Sequence, residues 1–98
     1  MKFVDALIGA IHKSGWIAES VSESPRDMDV KVRDYNNRGH GGQIRVPLDL
    51  VKESWNKWPE GNQSLGKEKL ETSIPGVLQQ FAQMPHTVRV LDPSCWTP

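Results

Sequence analysis

Cysteine is nearly absent. Cys95 is the only one in the chain, which excludes an intrachain disulfide framework and favours a reducing compartment such as the cytoplasm. Net charge is absent as well: twelve Lys and Arg stand against twelve Asp and Glu. No global field therefore draws the chain to nucleic acid or to an anionic membrane. No stretch approaches the roughly 18 consecutive apolar residues that a membrane span needs. The apolar start from Phe3 to Ile11 is interrupted by Asp5 and closes on His12-Lys13 without a small-residue cleavage site. It reads as a buried helix rather than a leader. Catalytic and cofactor signatures are missing too. The glycines carry neither the lysine-serine ending of a phosphate-binding loop nor G-x-G-x-x-G spacing. His12, His40, His86 and Cys95 lack the close paired spacing of a zinc site. These absences predict no metal, no cofactor and no enzyme.

What is present is enough for one core. At 98 residues, with 37% apolar and 24% charged residues, the chain has the profile of a single small globular domain of modest stability. Phe3, Val4, Leu7, Ile8, Ile11 and, at the far end, Ile17 recur at three- and four-residue spacing, which predicts a first helix from Phe3 to about Ala18, with Gly15 as an alternative end that leaves Trp16-Ile17 extended. After the polar connection Ser20–Pro25, Met28, Val30 and Val32 alternate with charged residues, as do Ile44 and Val46. Two half-buried strands follow from that period, joined as an antiparallel hairpin. Leu48, Val51, Trp55 and Trp58 predict a second helix. A third is expected to be capped by Thr72 or Ser73, with Pro75 in its first turn. Thr87–Leu91 alternates as a last strand.

The expected fold is therefore α+β in the order α-β-β-α-α-β, a three-stranded, mainly antiparallel sheet with helices packed on one face. Residues 1–92 form the domain and 93–98 a C-terminal tail.

Two features point outward. The connection between the strands, Asp34-Tyr35-Asn36-Asn37-Arg38-Gly39-His40-Gly41-Gly42, is rich in residues that tolerate positive φ and reads as a long, mobile tip. With Arg33, Arg38, Arg45 and nearby Lys31 it can offer guanidinium and N–H groups to a carboxylate or phosphate. His40, between glycines, has no evident side chain to hold it as a general base. The second feature is tryptophan, four in so short a chain. Trp16 and Trp55 suit the core, which leaves Trp58 and Trp96 as the exposed pair. Trp is enriched at binding hot spots because it buries a large area at little rotamer cost.

The segment Gln43-Ile44-Arg45-Val46-Pro47-Leu48-Asp49-Leu50-Val51-Lys52-Glu53-Ser54-Trp55 resembles the strand and first helix of the ribbon-helix-helix repressors. In that family, strands from two subunits pair and enter the major groove. The resemblance would make Gln43 and Arg45 base readers and Ser73–Gln83 the second helix. It covers less than half the chain. It also departs from the family in placing the strand inside a hairpin, with Pro47 where pairing should continue.

The leading expectation is a non-enzymatic protein-binding module, an inhibitor, adaptor or immunity-type protein acting as monomer or homodimer. Anti-CRISPR inhibitors and other small phage and mobile-element proteins share this profile of size and composition. The expected contact residues are Arg33, Tyr35, Arg38, His40, Arg45, Trp58 and Trp96. Sequence-specific DNA binding is the alternative, and no membrane partner is expected.

Overall fold

The computed structural model describes residues 2–98. Helix α1 (Phe3–Lys13) buries Phe3, Ala6, Leu7, Ala10 and Ile11, the stripe its spacing dictates. It ends where Ser14 and Gly15 donate their N–H groups back to Ala10, Ile11 and His12. Gly15 lies at φ +82°, a left-handed conformation that costs glycine nothing. The chain turns there directly into strand β1 (Trp16–Glu23).

Strands β2 (Asp27–Asp34) and β3 (Gly41–Pro47) follow, then helices α2 (Leu48–Trp55) and α3 (Gln63–Gln83). Strand β4 (Val88–Val90) and a 3-10 turn, Pro93–Cys95, complete the chain. The sheet has the order β1-β2-β3-β4. Its first three strands are antiparallel, and β4 lies parallel to β3, reached by a crossover through both later helices.

The α+β class holds, but the sheet has four strands and is mixed, and the element order is α-β-β-β-α-α-β. The missed strand is β1. Its pairing with β2 slips between Ala18 and Ser20, so Glu19 is an extra residue that breaks the two-residue alternation. Five of the eight residues end in solvent at the sheet edge in consecutive positions. A bulged, wet edge strand carries no apolar period to read.

Helix α3 also begins earlier than expected, at Gln63 rather than after Thr72 or Ser73, with Pro75 inside it. Gly66, Leu70, Ile74, Leu78 and Phe81 form one buried stripe that runs through the proline. Pro75 itself is exposed. An interior proline costs about 3 kcal/mol, and burying four large apolar side chains at roughly 1.5–3 kcal/mol each outweighs it. No helix among the described residues is long and apolar enough to cross a membrane.

The C-terminal segment is part of the core rather than a tail. Trp96 is 0% exposed and meets the Phe3 ring edge-on at 4.9 Å. Its indole N–H donates to Ser54 Oγ at 2.6 Å, and the Ser54 hydroxyl in turn donates to the Leu50 carbonyl. The Trp96 carbonyl accepts from Trp58 Nε1 at 2.5 Å, and Asp92 caps the turn by accepting from the Ser94 N–H. Two indoles and a serine thus fasten residues 93–98 to α2. The expectation that Trp58 and Trp96 form an exposed pair is corrected: both indole N–H groups are spent inside the molecule, and Trp58 is half-buried.

Candidate functional site

Register decides which side chains share a face. Met28, Val30 and Val32 of β2 and Ile44 and Val46 of β3 point to the helices and are buried. The alternate residues stand on the opposite face, which no helix covers among the described residues. Three rows cross it. Ile17, Arg33 and Gly41 are in line. The next row is Ser20, Lys31, Gln43 and Val88, and the third is Ser22, Asp29, Arg45 and Val90.

Gly41 occupies the outward position beside Arg33, and with no side chain there the first row has a hole. His86 lies beyond it, its N–H donating to the Gly41 carbonyl at 2.8 Å and its backbone at φ +62°. The hole is the floor of a cleft of about 280 Å³ walled by Lys31, Arg33, Arg38, Gln43, Thr87 and Val88. A second depression, lined by Ile17 and Tyr35, adjoins it and shares Glu19, Arg33 and Arg38. The two depressions therefore meet at Arg38, and Asp34 lines the second one as well.

The connection that carries Arg38 is ordered by its own side chains. Asp34 accepts from the Asn36 N–H and Asn37 from the Gly39 N–H, two Asx turns that stand in for backbone pairing. Residues 34 and 40 close the loop, Asp34 N–H to His40 O at 2.9 Å. His40 is held after all: Nε2 lies 3.2 Å from Asn37 Nδ2 and Nδ1 3.8 Å from Asp34. The expected absence of a local holder is thus corrected, and the reading of a free tip with it. The holders belong to the same turn, and the ring fastens the loop that presents Tyr35 and Arg38.

Electrostatics sorts the basic residues. The bulge that introduces Glu19 aims it at Arg33, whose Nε lies 2.6 Å from Oε1 and whose Nη2 donates to Oε2 at 3.5 Å. Arg45 is matched by Asp29, its registered neighbour, at 2.9 Å. Burial alone would raise the Asp29 carboxyl, but hydrogen bonds from Arg45 and Gln43 and the Arg45 charge outweigh it and hold the group below its ordinary value of 3.8. Lys31 and Arg38 have no ion-pair partner among the described residues.

The depressed Asp29 carboxyl has a consequence for stability. A carboxyl whose folded pKa lies below its unfolded one stabilises above the unfolded value, and that contribution is lost as pH falls through the folded value. Urea midpoints are expected to drop as pH falls below about 4, the ordinary carboxylate value, and Asp29→Asn should have a smaller drop than the parent. Equal drops in both proteins would contradict the assignment.

No family model, curated protein or solved structure matches this chain. The site is therefore read from its own geometry. Of the expected contact residues, the fold brings Arg33, Tyr35, Arg38 and His40 together at one end of the uncovered face. Arg45 is on the same face but outside the cleft and already paired. Trp58 and Trp96 belong to the helical layer. Sequence reasoning missed Ile17, Glu19, His86, Thr87 and Val88 as wall residues, because β1 was unread and the partner of β4 unknown. The ribbon-helix-helix resemblance fails structurally: β3 has β2 on one edge and β4 on the other, so it has no free edge to share with a second subunit.

The nucleophile candidates do not converge here. Burial, and then the charge of Asp92, push the Cys95 thiol up, so little thiolate exists near neutral pH. That residue sits in the C-terminal turn, away from the cleft-lining residues.

Proposed function

We propose that the protein is a non-catalytic binding module of the inhibitor or adaptor kind, and that it holds a protein partner on the uncovered sheet face beside Arg38. The observation that carries this reading is the composition of that face. Tyr35 is 72% exposed, Val88 48% and Val90 64%, and between them stand Lys31 and Arg38, cations without an ion-pair partner among the described residues. Exposed apolar and aromatic groups around a few polar anchors are the make-up of a protein interface. A four-stranded sheet backed by helices supplies a rigid platform, so little order has to be gained on binding. The turn-locked loop serves the same end.

The non-catalytic part rests on chemistry. His40 contacts only residues of its own turn, and the one thiol is held protonated. A general base needs a nucleophile to serve; His86 and Thr87 both line the cleft, but the Thr87 hydroxyl donates to the Met84 carbonyl and not to an imidazole.

The test is recovery of a stoichiometric protein on the tagged chain from cells of its source. Tyr35→Ala with Arg38→Ala is expected to lose that protein while keeping the parent's thermal midpoint within a few degrees, both side chains being exposed. A partner kept by this variant but lost from one altered at Leu65 and Gln80, on α3, would move the interface to the helical layer. Recovery of nucleic acid alone, released steeply between 50 and 200 mM salt, would replace the reading with DNA or RNA binding.

A further inference from the structure

We propose that the cleft over Gly41 receives one carboxylate from an extended acidic segment of the partner protein, bound between Lys31 and Arg38. This rests on the protein-binding reading of the same face and names the chemistry of what binds.

Charge is the first ground. Arg33, Lys31 and Arg38 line the cleft with one carboxylate, Glu19, and Glu19 is taken up by Arg33. Two cations are left facing the same opening without partners among the described residues. Nothing in the fold demands them there, since Asp29 and Arg45 show that this sheet balances outward charges across strands where stability is at stake.

Shape is the second. The floor of the cleft is backbone at Gly41, the first residue of β3, where a Cβ would press on the Val32 carbonyl at 3.1 Å and where no side chain fills the space above. A space of about 280 Å³ admits an acidic side chain and its own peptide units, and excludes a packed helix. Val88 flanks it on one side. Ile17 and Tyr35 lie across Arg38 on the other, so a chain seated there gains apolar contact before and after its carboxylate. A free inorganic anion would leave those contacts unused.

The same map argues against a nucleic acid. Affinity for a phosphate backbone grows with the number of phosphates that Lys and Arg neutralise. Here the positive zone is two residues wide and is bounded by Glu19 on one side and Asp29 on the other, both carboxylates on the same face.

The experiment is a titration of the isotope-labelled full chain followed by amide resonances, with three probes at low salt: a hexaglutamate peptide, a hexalysine peptide and a six-residue oligothymidylate. Hexaglutamate is expected to move the amides of Gly41, Gly42, Gln43, Thr87 and Val88, and the other two probes to leave them in place. Lys31→Glu with Arg38→Glu should weaken the hexaglutamate response at least tenfold, and Arg38→Gln by a smaller factor. Unchanged core resonances of Ile44 and Leu78 in each variant verify the fold. Responses spread over Lys52, Lys57 and Lys13 instead, or undiminished in the double variant, would overturn the proposal, as would a stronger response to the oligothymidylate. If hexaglutamate fails while a protein is still captured through Tyr35 and Arg38, the carboxylate site is wrong and the binding face stands; if capture fails as well, both are.

Discussion

Replacing Trp96 by alanine is expected to cost about 3–5 kcal/mol, the range for truncating a buried large aromatic. The side chain is the largest that is fully buried. Its loss opens a cavity between Phe3 and α2 and strands the Ser54 hydroxyl, which loses its indole donor. Domains of this size have about 5–15 kcal/mol in total, so this one change consumes a large part of it. A fall in the thermal midpoint of well over 10 °C follows from about 4–8 °C per kcal/mol. Trp58→Phe is the milder control: it keeps an aromatic ring and removes only the hydrogen bond to the Trp96 carbonyl, worth about 1 kcal/mol. If Trp96→Ala melted within two or three degrees of the parent, the C-terminal turn would not be part of the core.

Gly42 carries the second large effect. A Cβ added there would lie 2.3 Å from the Phe81 ring. The ring is fully buried between β3 and the Trp16 indole, 6.3 Å away centroid to centroid. β3 cannot retreat, because both its neighbours are hydrogen-bonded to it. Gly42→Ala is therefore expected to destabilise by about 1–3 kcal/mol from overpacking, although a glycine-to-alanine change elsewhere often stabilises slightly through the unfolded chain. Phe81→Ala alone should cost about 3–5 kcal/mol. Combined, the two should cost less than their sum, since the methyl group enters space the ring has vacated, with a coupling of about 0.5–3 kcal/mol. Strict additivity in denaturant titrations would mean that the two positions do not touch.

How far the sequence carried follows from which periods survive folding. Strands β2 and β3 were legible because one face is buried along their whole length, so that Met28, Val30 and Val32 alternate against Asp29, Lys31 and Arg33. Strand β1 was not, because Glu19 is inserted and its outer edge is wet. The stripe of α3 was there to read from Gly66 onward. The charged run Lys67-Glu68-Lys69 and the proline at 75 hid it, both being solvent-side features of a helix held by its other face. Trp96 looked exposed because nothing around it in sequence is periodic; its burial comes from Phe3 and Ser54, more than forty residues away.

The site divides in the same way. Arg33, Tyr35 and Arg38 belong to one local run of sequence, and local order keeps them together. What no local reading supplies is that β4 docks beside β3 and brings His86 and Val88 to the wall. Nor does it show that Arg45 and Arg33 are neutralised across strands while Lys31 and Arg38 are not. The distinction between a matched and an unmatched cation is made by register alone, and it is register that turned a basic loop into a small cleft.

The most direct measurement of the account is site-specific photo-crosslinking in cells of the source, with the photoreactive residue placed singly at Tyr35, Val90, Leu65 or Gln80. Tyr35 and Val90 are expected to yield one discrete adduct with the same protein, and Leu65 and Gln80 none. Adducts from Leu65 and Gln80 alone, or adducts to nucleic acid from the sheet positions, would contradict it.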